Sequence, residues 1–242
     1  MRARWIGWAA LGAAVLGAGA LFCGPPVWLL DWVAARFPGC LYRLPMRAPL
    51  VALTLDDGPD GVSTSLILSE LRRHGARATF FLIAERVRGR EPLVHQLVAE
   101  GHEVANHFSQ DRPGIHLSHA RFARDLEHAD RVLSPFGPVR WARPGSGWYS
   151  QAMIATMARY GYRCALGSVY PYDATIPSAT FSIQYILRSV RPGGILVLHD
   201  GGPRGRRTAR VLRAVLPELK RRGLRVVTLS ELAATGQDEP RQ

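Results

Sequence analysis

The chain has 242 residues, 47% of them hydrophobic, which is too long for a peptide and about right for one α/β barrel or one large open sheet. Its formal net charge of +12 is carried almost wholly by arginine, because Lys220 is the only lysine. Such a balance permits anionic partners, but there is no zinc-finger spacing and no aromatic–glycine signature of single-strand binders, so nucleic acid is set aside and the charge is assigned to a solvated surface.

Arg2 and Arg4 precede a charge-free stretch from Trp5 to Phe22. As a helix it would span roughly 27 Å, close to a bilayer core. A cleaved signal peptide, with Ala18-Gly19-Ala20 as the site, competes with an uncleaved membrane anchor. The length of the stretch, and the apolar residues beyond that site, favour the anchor. Arg2 and Arg4 argue for an N-terminus inside and an extracytoplasmic domain; Arg36, Arg43 and Arg47 weaken that bias, and cleavage would make the protein secreted. Residues 1–47 are thus expected to be anchor or signal segment plus linker, with Leu41 to Pro49 as the linker. Residues 48–232 form one domain, and 233–242 a polar, frayed tail. Cys23 and Cys40 flank the end of the apolar segment, which leaves a disulfide between them open. Cys164 is expected to be a small core residue.

After the linker the chain alternates. Val51 to Leu55 is a strand with no polar alternation, as expected of one buried on both faces. A helix from Thr64 to Arg73 ends at Gly75. Thr79 to Ile83 is a strand, Pro92 to Glu100 a helix, and His102 to Asn106 a strand. His119 to Leu133 is a helix and Val139 to Ala142 a short strand. Gln151 to Tyr160 is helical, Arg163 to Leu166 extended, Phe181 to Val190 helical, and Ile195 to Leu198 a buried strand. Thr208 to Arg222 is the last helix and Arg225 to Leu229 the last strand. About seven strands alternating with helices predict a parallel sheet, either an incomplete barrel or a doubly wound open sheet.

Polar residues cluster where strands end: Asp56 and Asp57, then Asn106-His107 through Asp111, Arg143 through Gly147, Tyr170 through Asp173, and His199-Asp200. In a parallel barrel these ends share one rim, so the groups should converge. Carboxylates and an imidazole make an N/O set that suits Zn²⁺ or another borderline divalent ion. Such an ion activates water for attack on a carbonyl. Because side chains alternate along a strand, Asp56 and Asp57 are expected to reach different partners, one a metal and the other a proton. A histidine opposite could protonate the leaving amine or alkoxide.

Over about residues 48 to 230 the sequence resembles the polysaccharide deacetylases with a NodB-homology domain, carbohydrate esterase family four. Thr54-Leu55-Asp56-Asp57-Gly58-Pro59 is similar to T-F-D-D-G-P, Asn106-His107 to the start of N-H-[ST]-x-x-H, Arg143-Pro144 to R-P-P-Y-G, and Val197-Leu198-His199-Asp200 to L-x-L-H-D. The resemblance implies a distorted (β/α)₇ barrel. It implies Asp56 as general base, Asp57 and His107 as metal ligands, Arg143 on the base, the Ser146 N–H near the oxyanion, and His199 as general acid. Asp173 is the expected partner of a histidine or of an arginine.

The chain departs from the pattern in two places. Asp111 stands where the second histidine of the family belongs, giving an Asp57–His107–Asp111 ligand set; His116 and His119 are rival third ligands. Gly145 replaces the second proline of the third motif. The function implied is a membrane-associated, metal-dependent deacetylase that removes N-acetyl, or else O-acetyl, groups from a glycan. Zn²⁺ is the expected metal, with Co²⁺, Ni²⁺ or Mn²⁺ as alternatives. The rival functions are an inactive glycan-binding relative and a deformylase or amidase acting on a lipid-linked sugar. The Arg-rich stretch from Arg204 to Arg225 is expected to be a solvated helix.

Overall fold

The computed structural model describes residues 24–238. Its centre is β2 (Leu50–Gly58), nine residues buried along their whole length. Chain order sets the remaining strands around it: β1 (Cys40–Leu41), β3 (Thr79–Leu82), β4 (Glu103–Asn106), β5 (Trp141–Ala142), β6 (Arg163–Ala165), β7 (Ile195–His199) and β8 (Arg225–Val227). They form one sheet in the order β1–β6–β5–β4–β3–β2–β7, with β8 beside the start of β2. Every pairing between these strands is parallel.

From β2 to β6 each new strand adds on the same side, and β7 then returns to the other side of β2. That winding is a barrel's, with no reversal of direction such as a doubly wound sheet has. A parallel bridge from Val169 to Leu196 and an antiparallel one from Arg43 to Gly194 draw the two edges together. The result is the distorted (β/α)₇ barrel, incompletely closed.

Side-chain alternation sorts β2 between two cores. Val51, Leu53 and Leu55 face outward, where they meet Ile67, Leu68 and Leu71 of α2 (Ser63–His74) and Leu212, Val215, Leu216 and Leu219 of α8 (Gly202–Arg221). Leu50 and Ala52 face inward, with Phe81, Ala105, Trp141, Ala165 and Ile195. The same inward row carries on to Thr54 and Asp56, so the reactive end of the barrel continues its interior core. The other helices are α1 (Val27–Arg36), α3 (Ala84–Val87), α4 (Glu91–Ala99), α5 (His119–Leu133), α6 (Gln151–Arg159), α7 (Ala179–Ser189) and α9 (Leu229–Asp238).

Four features differ from the sequence expectations. Leu41 to Pro49 is not a free linker: β1 pairs with β6, and Leu41, Leu44, Met46 and Ala48 pack against the inner core. Ala233 does not begin a frayed tail, because α9 runs on to Asp238 and buries Leu229, Leu232 and Ala233 across the opposite mouth of the barrel; residues 239–242 lie outside the described residues. Cys40 has Cys164 as its neighbour, with the two sulfurs 2.8 Å apart on register-paired residues, while Cys23 lies outside the described residues. The Arg-rich helix α8 begins at Gly202, six residues ahead of its apolar periodicity, with a proline in its first turn, where the missing N–H costs nothing. Among the described residues no helix is long and apolar enough to cross a membrane, and the Trp5 to Phe22 stretch lies outside them.

Candidate active site

Asp56 and His199 are register partners on neighbouring parallel strands, which brings the two expected proton-transfer groups to the same level of the rim. Asp57 follows at a point where the β2–β3 register shifts, and its φ is 72°. Left-handed backbone is unfavourable for a residue with a Cβ. Its effect here is geometric: Asp57 turns into the same cavity as Asp56 and does not follow the strand's alternation to the outside. The sequence expectation of separate partners survives, but on one side of the sheet. Gly58–Pro59 is a cis peptide bond and completes the turn.

Arg143 follows β5 and is buried. Its Nη1 donates to Asp56 Oδ1 and to Thr54 Oγ1 at 2.9 Å, its Nε to the Ala165 carbonyl at 2.8 Å, and its Nη2 to the Leu166 carbonyl at 2.6 Å. The guanidinium lies 4.0 Å over the Phe81 ring. It cannot leave Asp56 without abandoning its other acceptors and leaving its own buried N–H groups unpaired, so it fixes that carboxylate.

Asn106 accepts from the Phe108 N–H at 2.7 Å, and Phe108 itself has φ 65°. This tight turn presents His107 to the cavity. His107 Nδ1 lies 2.7 Å from the Arg143 carbonyl, which only accepts, so Nδ1 carries a proton and Nε2 points the other way, 3.5 Å from Asp57 Oδ1. Burial pushes the His107 pKa down, but the charges of Asp56 and Asp57 and the Asp57 hydrogen bond outweigh it and raise the value. For Asp57, burial pushes upward; the His107 hydrogen bond, with the positive potential of His107, His199 and Arg86, holds the carboxyl below its usual value.

His199 donates Nδ1–H to Asp173 Oδ1 at 3.0 Å, and its backbone N–H donates to Asp173 Oδ2, also at 3.0 Å. Asp173 is therefore the carboxylate that orients a histidine. Its hydrogen bond and charge, with Asp56 and Asp57, overcome burial and raise the His199 pKa. The Tyr170 ring stands edge-on to the imidazole, and burial followed by Asp173 pushes its phenol up to about 12, leaving it a protonated donor.

Asp56, Asp57, His107, Arg143, Tyr170 and His199 line one cavity of about 510 Å³, together with Tyr42, Asp111, Ser146, Leu166, Val197 and Arg204, while Asp173 stands behind His199. Ser146 sits in the Gly145–Gly147 turn with φ 59°. A Cβ at Gly145 would stand 2.4 Å from the Arg112 carbonyl oxygen. The two departures from the family pattern, Gly145 and Asp111, are thus packed together: the loop that carries Asp111 crosses where a proline ring would stand.

The ligand set is only partly assembled. Asp57 and His107 face each other, but Asp111 is half exposed and pairs with Arg86 at 3.4 Å. Among the described residues no three His, Cys, Asp or Glu side chains are grouped closely enough to hold a metal. The paired donors nevertheless fit a divalent ion: one carboxylate and one imidazole with its outer nitrogen already bonded to a carbonyl, the usual support of a metal-binding histidine. His116 and His119 do not line the cavity.

Sequence reasoning missed Arg204, whose Nη1 lies 3.2 Å from Asp57 Oδ2. It is exposed, as expected of the Arg-rich helix, yet it also reaches the rim; its place right after the Gly201-Gly202 turn from β7 was the available signal. Asp200, beside His199, turns outward instead. It accepts from Ser63 Oγ at 2.7 Å and from Thr64, clasping α2 to the end of β7, and burial pushes its carboxyl up to about 6.

Residues 43–165 match the sequence profile described as polysaccharide deacetylase. The chain belongs to the polysaccharide deacetylase family. It is 33% identical over 195 residues to a peptidoglycan-N-acetylglucosamine deacetylase of Bacillus cereus, covering 79% of this chain and 91% of the relative. It is 34% identical to a chitooligosaccharide deacetylase of Bradyrhizobium sp., covering 75% and 90%. Among solved structures, a peptidoglycan N-acetylglucosamine deacetylase in complex with a hydroxamate-type ligand superposes with TM-score 0.77 at 25% identity, over 83% of this chain and 94% of that one. A family 4 acetyl xylan esterase from Clostridium thermocellum, in complex with a cobalt ion, gives 0.72 at 28% identity, over 77% and 91%. As an enzyme the chain is a deacetylase of this hydrolase family.

Proposed function

We propose that this deacetylase hydrolyses the acetamido group of an N-acetylglucosamine-containing glycan with a divalent metal ion as cofactor. The observation that carries the reading is the pairing of Asp56 with His199 across β2 and β7, each held by a second buried charge, Arg143 or Asp173. Asp57 and His107 would hold the ion, with Asp111 from the facing loop as the third ligand. When bound, the ion supplies a Lewis acid that polarises the acetyl carbonyl and makes water a better nucleophile at neutral pH.

The protein's own groups do the rest. Asp56, fixed by Arg143, takes the proton from the attacking water. The Ser146 N–H and the Tyr170 hydroxyl face the cavity where negative charge develops on the carbonyl oxygen. His199, with Nδ1 committed to Asp173, presents Nε2 to the leaving nitrogen. Its raised pKa favours the protonated form, from which it would deliver a proton and release the free amine. Leu166 and Val197 line the apolar part of the cavity, where an acetyl methyl group would lie. The charge-free Trp5 to Phe22 stretch supports a membrane anchor with the domain outside the cytoplasm.

The test is acetate release from N-acetylglucosamine oligomers by the full chain, before and after chelation and after adding back Zn²⁺ or Co²⁺. Activity that disappears with the chelator and returns with the metal is the expected result. Acetate release untouched by chelation would overturn the metal-dependent reading.

A further inference from the structure

The reaction as proposed leaves three arginines at the cavity's edge without a task. Arg86 comes from α3, Arg90 from the turn after it, and Arg204 from the first turn of α8. With Asp57, Asp60, Asp111 and the Gly201–Pro203 turn they line a second hollow of about 510 Å³, which shares Asp57, Asp111 and Arg204 with the reaction cavity. The two hollows adjoin along these shared side chains, so an anionic group on or next to a sugar held in the first would come close to the second.

The charges in this hollow change when the ligand set is used. Arg204 pairs with Asp57 Oδ2 at 3.2 Å, Arg86 donates to the Asp57 carbonyl and pairs with Asp111 at 3.4 Å, and Arg90 donates to the Arg86 carbonyl at 3.0 Å. Asp60 is already committed to the start of α2, where it accepts from the backbone of Val62 and Ser63. A divalent ion held by Asp57 and Asp111 would compete with Arg86 and Arg204 for those carboxylates and weaken both pairs. The Arg86 and Arg204 side chains are 38% and 44% exposed, which leaves them room to turn toward a ligand. Guanidinium forks match the oxygens of a carboxylate or a phosphate.

We propose that Arg86, Arg90 and Arg204 form a subsite for an oxyanion carried by the glycan, a carboxylate or phosphate on or next to the N-acetylated sugar. The inference rests on the deacetylase reading above and narrows its substrate: acidic glycan strands are preferred to neutral ones.

Equilibrium binding tests the subsite without turnover. The full chain carrying Asp56→Asn, loaded with Zn²⁺, is titrated with two matched pairs of probes. In the first, N-acetylglucosaminyl-N-acetylmuramic acid carries a carboxylate and N,N′-diacetylchitobiose is its neutral counterpart. In the second, N-acetylglucosamine 1-phosphate is compared with N-acetylglucosamine. At least one charged probe is expected to bind about tenfold more tightly than its neutral partner, as one charge-assisted contact provides. The preference should weaken with added salt. It should also shrink when Arg90→Gln or Arg204→Gln is added, in variants whose melting temperatures show them folded. The probe that keeps the preference tells a carboxylate source from a phosphate source. The proposal is overturned if both charged probes bind within about twofold of their neutral partners, if neither charged probe binds, or if the preference persists in both arginine variants, which would assign it to the metal itself. Failure of the deacetylase reading is seen separately, as absence of acetate release by the unsubstituted enzyme from every glycan offered.

Discussion

Two buried ion pairs determine what individual residues can do at the rim. Arg143 is itself buried and holds Asp56, Thr54 and the Ala165 carbonyl at once, so Asp56 is held in one position and one orientation. Replacing Asp56 by Asn should keep the fold and lower kcat by about 10²- to 10⁴-fold, the usual contribution of a general base; steady-state kinetics beside a thermal melt would show both. Asp173→Asn removes the main partner that raises the His199 pKa. The alkaline limb of kcat/KM should then move to lower pH, because His199 loses its proton sooner, and a limb that stays in place would argue against His199 as the acid. A second titration concerns stability. Burial pushes the His102 pKa down to about 4, and the neutral ring accepts from the Ala78 N–H at 3.2 Å. A histidine depressed in the folded state contributes stability above its unfolded value near 6.5, and that contribution is lost as pH falls toward 4. Urea titrations at pH 7.5 and pH 5 should show a larger drop for the native chain than for His102→Gln.

At the scale of elements, irregular backbone does what side-chain patterns do not announce. The register shift in β2 puts Asp56 and Asp57 on one face, though strand alternation would separate them. The Gly145 turn and the loop through Arg112 fit only because Gly145 has no Cβ. Gly145→Ala should push the Asp111 loop away, at a cost of about 1–3 kcal/mol from overpacking. Metal affinity, read by competition with a chelating dye, should fall with it; an unchanged affinity would remove Asp111 from the ligand set. At the other end of the barrel, Leu232 of α9 is fully buried. Leu232→Ala should destabilise the fold by about 2–5 kcal/mol in denaturant titrations while leaving KM unchanged, since α9 plugs the mouth opposite the site.

For the whole molecule, ion binding and stability are linked. The cavity holds Asp57 and His107 together, and a ligand that binds only this arrangement raises the free energy of unfolding by RT ln(1 + [L]/Kd), about 2.7 kcal/mol at a hundredfold excess over Kd. Titrating Zn²⁺ should therefore raise Tm in the native chain and much less in His107→Ala. Much of this organisation was legible in the chain. Val51 to Leu55 has no polar alternation, and its burial on both faces followed; Asp56 and His199 lie at the ends of strands, His107 and Arg143 directly after one, and parallel strands end on one rim. Three things were not legible. Arg204 lies on a helix whose periodicity marks it as solvated, and only the sharp turn after β7 brings it to Asp57. The linker is too short and irregular to announce an element and the tail is polar, yet Leu41, Leu44, Met46, Ala48 and Ala233 find the barrel interior. Asp111 is spaced as a ligand, yet its loop leaves it with Arg86.

The sequence by itself determined the chemistry, because residue types and their spacing along the chain decide which acids, bases and ligands are available and in what order a parallel sheet presents them. The tertiary structure decided their partners: which carboxylate Arg143 holds, that Asp173 belongs to His199, that Asp57 turns inward, and that arginines stand around the expected ligands. Those pairings join residues up to 147 positions apart, and they depend on bulges, left-handed residues and helix ends whose effect is fixed only when the barrel packs.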